Sequence, residues 1–408
     1  MTAPLSVEAA RMAILADLPV ERPAETVPLA QALNRTLAQD LNAQLTQPPR
    51  SVSAMDGYAV RAKDLAESGG PLKLIGESRA GHGFAGKLGP GEAVRIFTGA
   101  PMPEGADAVL IQEDTRAEAG LVTALRKVES GCFVRAKGLD FTAGDRLLEA
   151  GTRLGPLELG LAAAMNHAEL AVVRRPRVAI LATGDELVPP GKTLGPEQIV
   201  ASNSFAIAAL VETAGGEPVE LGIAHDDLAA LAQAIAAARS AEADVLVTLG
   251  GASVGDYDLI KPALIAQGME LSFWRIAMRP GRPLIHGRLG PMQILGLPGN
   301  PVSAIVAGVI FLLPLIRALL GDPNAAVETF EPALLGASLR ANDGRRDYLR
   351  AALTSDETGL LVATPFLEQD SSLLGVLARA DCLLIREPGA PAAKKGDPCR
   401  ILRLPGKS

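Results

Sequence analysis

Four short segments of this 408-residue sequence combine glycine or proline with residues able to hold ions. In GLPGNPVS, Gly296 to Ser303, Asn300 suits a helix N-cap, Pro301 suits the first helical turn, and Gly299 lets the backbone approach a ligand. A helix starting there turns free N–H groups and its positive dipole end toward an oxyanion. The same residues also make a tight strand–helix turn that holds nothing. RPGRP, Arg279 to Pro283, sets two guanidinium groups three residues apart around a glycine. Such a pair suits a tetrahedral dianion, since each arginine offers a planar fork of donors; it is equally compatible with two surface arginines. GGASVGDYD, Gly250 to Asp258, joins a glycine-rich turn fit for phosphate to Asp256 and Asp258, which could hold Mg²⁺ beside it, or could form a solvated acidic loop. In TGDEL, Thr183 to Leu187, Asp185 and Glu186 face a ligand or cap a helix.

Three of these loops follow apolar, strand-like runs. RVAILA (Arg177 to Ala182) precedes TGDEL, DVLVTL (Asp244 to Leu249) precedes GGASVGDYD, and Gln293 to Leu297 precedes GLPGNPVS. Helical patterns lie between them, Ser202 to Ala214 and the alanine-rich Asp227 to Arg239. Strands alternating with helices predict a doubly wound, mostly parallel three-layer α/β/α domain. Its ligand edge is the carboxyl end of the strands, so the three loops should converge there. Val302 to Ile316 is almost wholly apolar, but it is shorter than the roughly 20 residues a membrane span needs, so a buried core helix is expected.

The flanks have a different texture. The first 45 residues read as helical in two pieces, split by Pro19 to Pro28, the first an amphipathic helix from Leu5 to Leu18. Short β-type runs between glycine turns fill Pro48 to Leu139. Five candidate strands after Pro323 are enough for a small β-barrel. The expected α/β multidomain layout has an N-terminal α+β region (1–47 with 139–174), an inserted β-rich domain (48–138), the doubly wound domain (175–322) and a C-terminal barrel (323–408).

Composition narrows the function. A net charge of −7 and 3% aromatics argue against a nucleic-acid partner. Three scattered cysteines with no CxxC, and four histidines without ligand spacing, indicate neither a disulfide framework nor a zinc site. With no secretory signal at its start, the chain reads as cytoplasmic and not bound to a membrane.

Taken in order, SVSAMDGYAVR (Ser51 to Arg61), TGAPMPEGADAVL (Thr98 to Leu110), ATGDEL, GGASVGDYD, RPGRP, GLPGNPVS and GRRDYLR (Gly344 to Arg350) resemble the MoeA family of molybdopterin molybdenumtransferases and the related E domain of gephyrin. The matches cover nearly the whole chain. The resemblance implies a Mg²⁺-dependent enzyme that inserts molybdenum from molybdate into adenylylated molybdopterin and releases AMP. It implies molybdate held by Arg279, Arg282, Pro283 and Ser303, with Arg345 or Arg346 and Ser371. Asp258 is the first choice for catalysis or Mg²⁺, with Glu186 and Asp226 beside it, and Asp56 also in a catalytic role. Substrate contacts fall on Thr98, Asp140, Thr183, Gly184, Asp185, Ser202, Asn203, Gly250, Gly251, Ser253, Gly255, Pro298, Gly299 and Asn300. It implies a homodimer whose site is shared across subunits, and a MogA-type adenylyltransferase as a possible partner. Arg279 and Arg282 stand where the family usually has the lysines of KPGKP. The alternative is a gephyrin-like molybdopterin scaffold without turnover; an adenylyltransferase is disfavoured by the additional domains.

Overall fold

The computed structural model describes residues 4–16, 18–19, 22–67, 70–251 and 259–407. The chain divides into two compact units. The first holds Met1–Glu25, Asn34–Ala38 and Val172–Ser408; the second holds Thr26–Leu33 and Gln39–Ala171.

In the first unit, six strands form a sheet in the order Glu217–Ala224, Arg177–Thr183, Val245–Leu249, Met292–Leu297, Pro283–Leu289, Glu270–Arg275. The first four are parallel and the last two are antiparallel additions. Side chains alternate between two cores, as period two requires. Val178, Ile180, Val247 and Leu295 pack with the helix Asn203–Ala214 and the helical segment from Pro301 to Leu319. Ala179, Leu181, Leu246 and Ile294 pack with the helices Leu228–Ser240 and Ile260–Ala266. This is the expected α/β/α sandwich. The chain leaves Arg177–Thr183 first to one side of the sheet and then to the other, so the switch point lies between Thr183 and Leu249.

The apolar segment Pro301–Leu319 has the length and hydropathy to cross a membrane, but 67% of its apolar window is buried in the fold. It is the core helix. Pro314 has no N–H to return to a carbonyl, and a π-turn at Gly308–Leu312 stands just before it. The opening helix Val7–Leu15, capped by the Ser6 hydroxyl at 3.1 Å from Ala9 N, buries Val7, Ala10, Arg11 and Ile14 against this core.

Five strands of the C-terminal region close on themselves: Arg346–Ser355, Leu361–Pro365, Glu331–Leu335, Pro398–Arg403 and Cys382–Arg386, which pairs back with Arg346–Ser355. All five match the expected strands, and the small barrel follows. The short strand Met278–Arg279 adds to it in parallel, Arg279 opposite Asp347.

The second unit is β-rich. Its main sheet runs Ala108–Ile111, Gly57–Val60, Glu92–Ile96, Leu72–Ser78, Leu121–Ala124, Thr115–Glu118. Tyr58, Val60 and Leu110 face one core and Ala59, Val94 and Val109 the other. The second helix expected near the N-terminus is not formed: a 3-10 turn at Leu29–Gln31 is followed by Asn34 at φ 63°, which no right-handed helix can continue through.

Candidate functional site

The carboxyl edge of the parallel sheet draws its loops together. A Cβ placed on Gly299 would lie 3.6 Å from Gly250 Cα, and one on Gly250 would lie 2.8 Å from the Thr183 carbonyl oxygen. Gly250 is therefore needed for the close approach, and it also sits at φ 99°, whereas a Cβ on Gly299 would make only ordinary contact. Asn203 Nδ2 donates to the Gly299 carbonyl at 2.6 Å. Ser202, the residue before that helix, makes no side-chain capping bond.

Beside this crevice lies a group of carboxylates. Gly184 N donates to Ala224 O, which joins the TGDEL loop to the turn after Glu217–Ala224. Asp185 accepts from His225 Nδ1 at 2.8 Å, and that bond, with a longer one from Asp226 N, holds its pKa below the ordinary value. Asp226 moves the other way: partial burial raises it first, and Asp185 and Glu186 raise it further. Asp226 thus has Asp185 and Glu186 as like-charged neighbours. Among the described residues no three His, Cys, Asp or Glu side chains form a metal site alone. Asp258, Ser253 and Gly255 lie outside the described residues.

The start of the apolar helix is built differently from the expected cap. Asn300 precedes Pro301 at the first turn, yet its side chain makes no capping bond; its Nδ2 donates to Ser371 Oγ at 2.8 Å. The Ser371 carbonyl accepts from Val302 N at 3.1 Å. Ser371 thus ties a barrel loop to the helix start. RPGRP lies on the same helix turn, since a Cβ on Gly281, at φ 101°, would meet the Ser303 carbonyl at 3.6 Å. Ser303 is buried, Pro298 is buried and Pro283 is half-buried at the start of its strand.

The arginines of this corner divide by their partners. Arg279 pairs with Asp347 and, at 3.4 Å, with Asp343. Arg345 pairs with Asp343 at 2.7 Å. Arg346 is buried among Glu8, Glu328 and Glu387. The exposed Arg282 guanidinium has no partner among the described residues. Arg350 is 0% exposed, and its Nε and Nη1 have no hydrogen-bond partner among the described residues. Its Nη2 reaches Glu368 O at 3.3 Å, while Gln369 bonds its backbone on both sides. Burial lowers its pKa and Asp370 opposes that shift.

The second unit carries its own polar pair. Asp56 accepts from Thr98 N at 2.7 Å and from Thr98 Oγ1 at 2.9 Å, and these two bonds hold its pKa below the ordinary carboxylate range, with Arg95 adding to them. Asp140 lines a cavity of about 620 Å³ with Arg50, Gly99, Pro101 and Arg135.

Comparison with known proteins now decides the family. Residues 5–166 match the MoeA N-terminal region (domain I and II), 179–318 a probable molybdopterin binding domain, and 332–404 the MoeA C-terminal region (domain IV). The molybdopterin molybdenumtransferase of Haemophilus influenzae is 37% identical over 94% of this chain and 94% of its own. That of a Nostoc species is 38% identical over 93% and 89%.

The chain belongs to the MoeA family.

A solved MoeA protein of Pyrococcus is 31% identical, with a TM-score of 0.83 over 98% of this chain and 99% of that one. A second is 26% identical, with a TM-score of 0.84 over 98% and 100%. Within the MoeA fold, the first unit gathers Thr183, Gly184, Asn203, Gly250, Gly299, Asn300, Ser303 and Ser371 at one edge, as the motifs predict. Gly251 also lies there, a Cβ on it falling 3.3 Å from Thr183 Oγ1. Of the two arginines left open at GRRDYLR, Arg346 is committed to three glutamates and Arg345 to Asp343. The unexpected residue is Arg350, at the end of the same motif. Strand alternation could have found it: an arginine two residues after the buried Tyr348 points the same way, into the interior.

Proposed function

We propose that this protein is a molybdopterin molybdenumtransferase that inserts molybdenum from molybdate into adenylylated molybdopterin and releases AMP. The observation that carries this reading is the buried guanidinium of Arg350, whose Nε and Nη1 have no partner among the described residues, on a strand of the barrel that also supplies Ser371 to the helix start at Pro301. An unmet buried donor costs roughly 1–3 kcal/mol, which a bound oxyanion offsets. Molybdate is a tetrahedral dianion and suits such donors. Arg350, Arg282, Ser303 and Ser371 are assigned to it, and Arg279 is assigned to the loop's attachment. The glycine edge at Gly250 and Gly299 is assigned to the phosphorylated part of the pterin substrate, because residues without side chains let a ligand come close to the backbone there.

Magnesium, when bound, offsets the charge on the phosphoanhydride; Glu186 and Asp226, with Asp258, would hold it. Asp226 is suited to that role because its carboxyl already sits among like charges. Asp56 and Thr98 serve substrate from the second unit, and we place them in the site of a partner subunit in a homodimer. Holding both substrates in reach supplies much of the acceleration.

The decisive experiment incubates the pure protein with adenylylated molybdopterin, molybdate and Mg²⁺. AMP and molybdenum cofactor are the expected products. Tight binding of the pterin with no AMP would replace this reading with that of a scaffold.

A further inference from the structure

We propose that Arg95 is a positioning residue for this reaction: it fixes Asp56 and Thr98 of the second unit in their working geometry. The inference rests on the transferase reading and on the role given there to Asp56. Asp56 immediately precedes the strand Gly57–Val60, and Thr98 lies just past the strand Glu92–Ile96. These strands are antiparallel neighbours, Gly57 opposite Ile96 and Tyr58 opposite Arg95. The Arg95 guanidinium crosses this junction. It lies 4.9 Å from the Tyr58 ring centroid and 5.0 Å from that of Phe97. Its Nη1 donates to the Gly57 carbonyl at 3.2 Å and its Nη2 to Gln112 Oε1. Gln112 N in turn donates to the Asp56 carbonyl at 3.1 Å.

Three contacts of Arg95 thus fall on Gly57 and Phe97, the neighbours of Asp56 and Thr98, and on Gln112, which is bonded to Asp56; the fourth is Tyr58, one residue further along the same strand. A planar fork near two rings does what an ammonium group cannot: it offers a flat face to aromatic neighbours while donating in its own plane. The charged groups on the elements around Asp56 are Glu92 and Arg95 on the strand Glu92–Ile96 and Glu113 and Asp114 in the turn after Ala108–Ile111. Three of these four are acidic, so Arg95 is the cation on these elements that favours an ionised Asp56. With it removed, the Asp56–Thr98 bonds remain available but their frame loosens.

The test measures AMP release against pH for wild type, Arg95→Lys, Arg95→Met and Asp56→Asn, with thermal unfolding of each. Arg95→Met should keep KM within about twofold and lose roughly tenfold or more in kcat, as a small misplacement of a reacting group does. Its acid limb should move to higher pH. Arg95→Lys should return that limb toward wild type and leave kcat low. Wild-type kcat and pH profile in a folded Arg95→Met overturns the inference. A kcat loss with an unmoved acid limb also overturns it, since that is what a purely structural role gives. Asp56→Asn at wild-type rate would instead remove the reading of Asp56, whatever Arg95 does.

Discussion

Arg350 carries a charge into the interior, with two of its nitrogens unpartnered among the described residues, whereas Arg279 three strands' worth of sequence earlier spends its fork on carboxylates. Replacing Arg350 by Met should therefore weaken molybdate binding at least about tenfold, read by calorimetry, while the barrel stays folded, because an apolar chain of similar length fills the same space. Unchanged affinity would return the oxyanion to Arg345 or Arg346. The two RPGRP arginines should part company in the same assay. Arg282→Lys should alter molybdate affinity, and Arg279→Lys should leave it within about threefold but lower the melting temperature, since an ammonium replaces the fork facing Asp347. If Arg279→Lys is the variant that loses molybdate, the ion pair to Asp347 is a resting state and not an attachment. Neither arginine's fate is written in RPGRP, because Asp347 comes from another strand and Asp343 from the loop before it, 60-odd residues on.

At the scale of elements, the strand Gly57–Val60 and the sheet around His286 are each intolerant for a stated reason. A Cβ on Gly57 would fall 2.1 Å from the Leu110 carbonyl. Gly57→Ala must push two paired strands apart, and a loss of about 1–3 kcal/mol in urea unfolding is expected; a neutral result would mean that the strand pairing relaxes freely. His286 is buried beside Phe273, and burial pushes its pKa from 6.5 down to about 4. The folded protein keeps it neutral while the unfolded chain takes up a proton, so its contribution to stability is full above pH 6.5. It is lost as pH falls from about 6.5 toward 4, at most about 3 kcal/mol. His286→Gln should flatten that part of the stability–pH curve; equal slopes would exclude the histidine as the cause. The strands Arg177–Thr183, Val245–Leu249 and Met292–Leu297 were readable in advance as continuous apolar runs, because both their faces are covered. The missing second helix was not, because Asn34 adopts a left-handed backbone that its helical neighbours do not announce.

For the whole molecule, the shared-site proposal has a direct consequence. Asp56→Asn and Arg350→Met, each inactive alone, should restore activity when refolded together, because half of the mixed dimers' sites are intact; recovery of roughly a quarter of the wild-type rate is expected for equal mixing. No recovery, with a dimer confirmed by light scattering, would place both residues in one protomer's site. The sequence by itself determined the alternation of strands and helices that makes the doubly wound sheet and the loops that end its strands, because these depend on local periodicity and on glycine and proline at turns. Only the tertiary structure decided which side chains on those elements stay free. Arg346 met three glutamates, Asn300 turned from its own helix to Ser371, and Arg350 was left with two nitrogens unpartnered among the described residues. Those outcomes hang on partners distant in the chain, and no local pattern encodes the presence or absence of a partner.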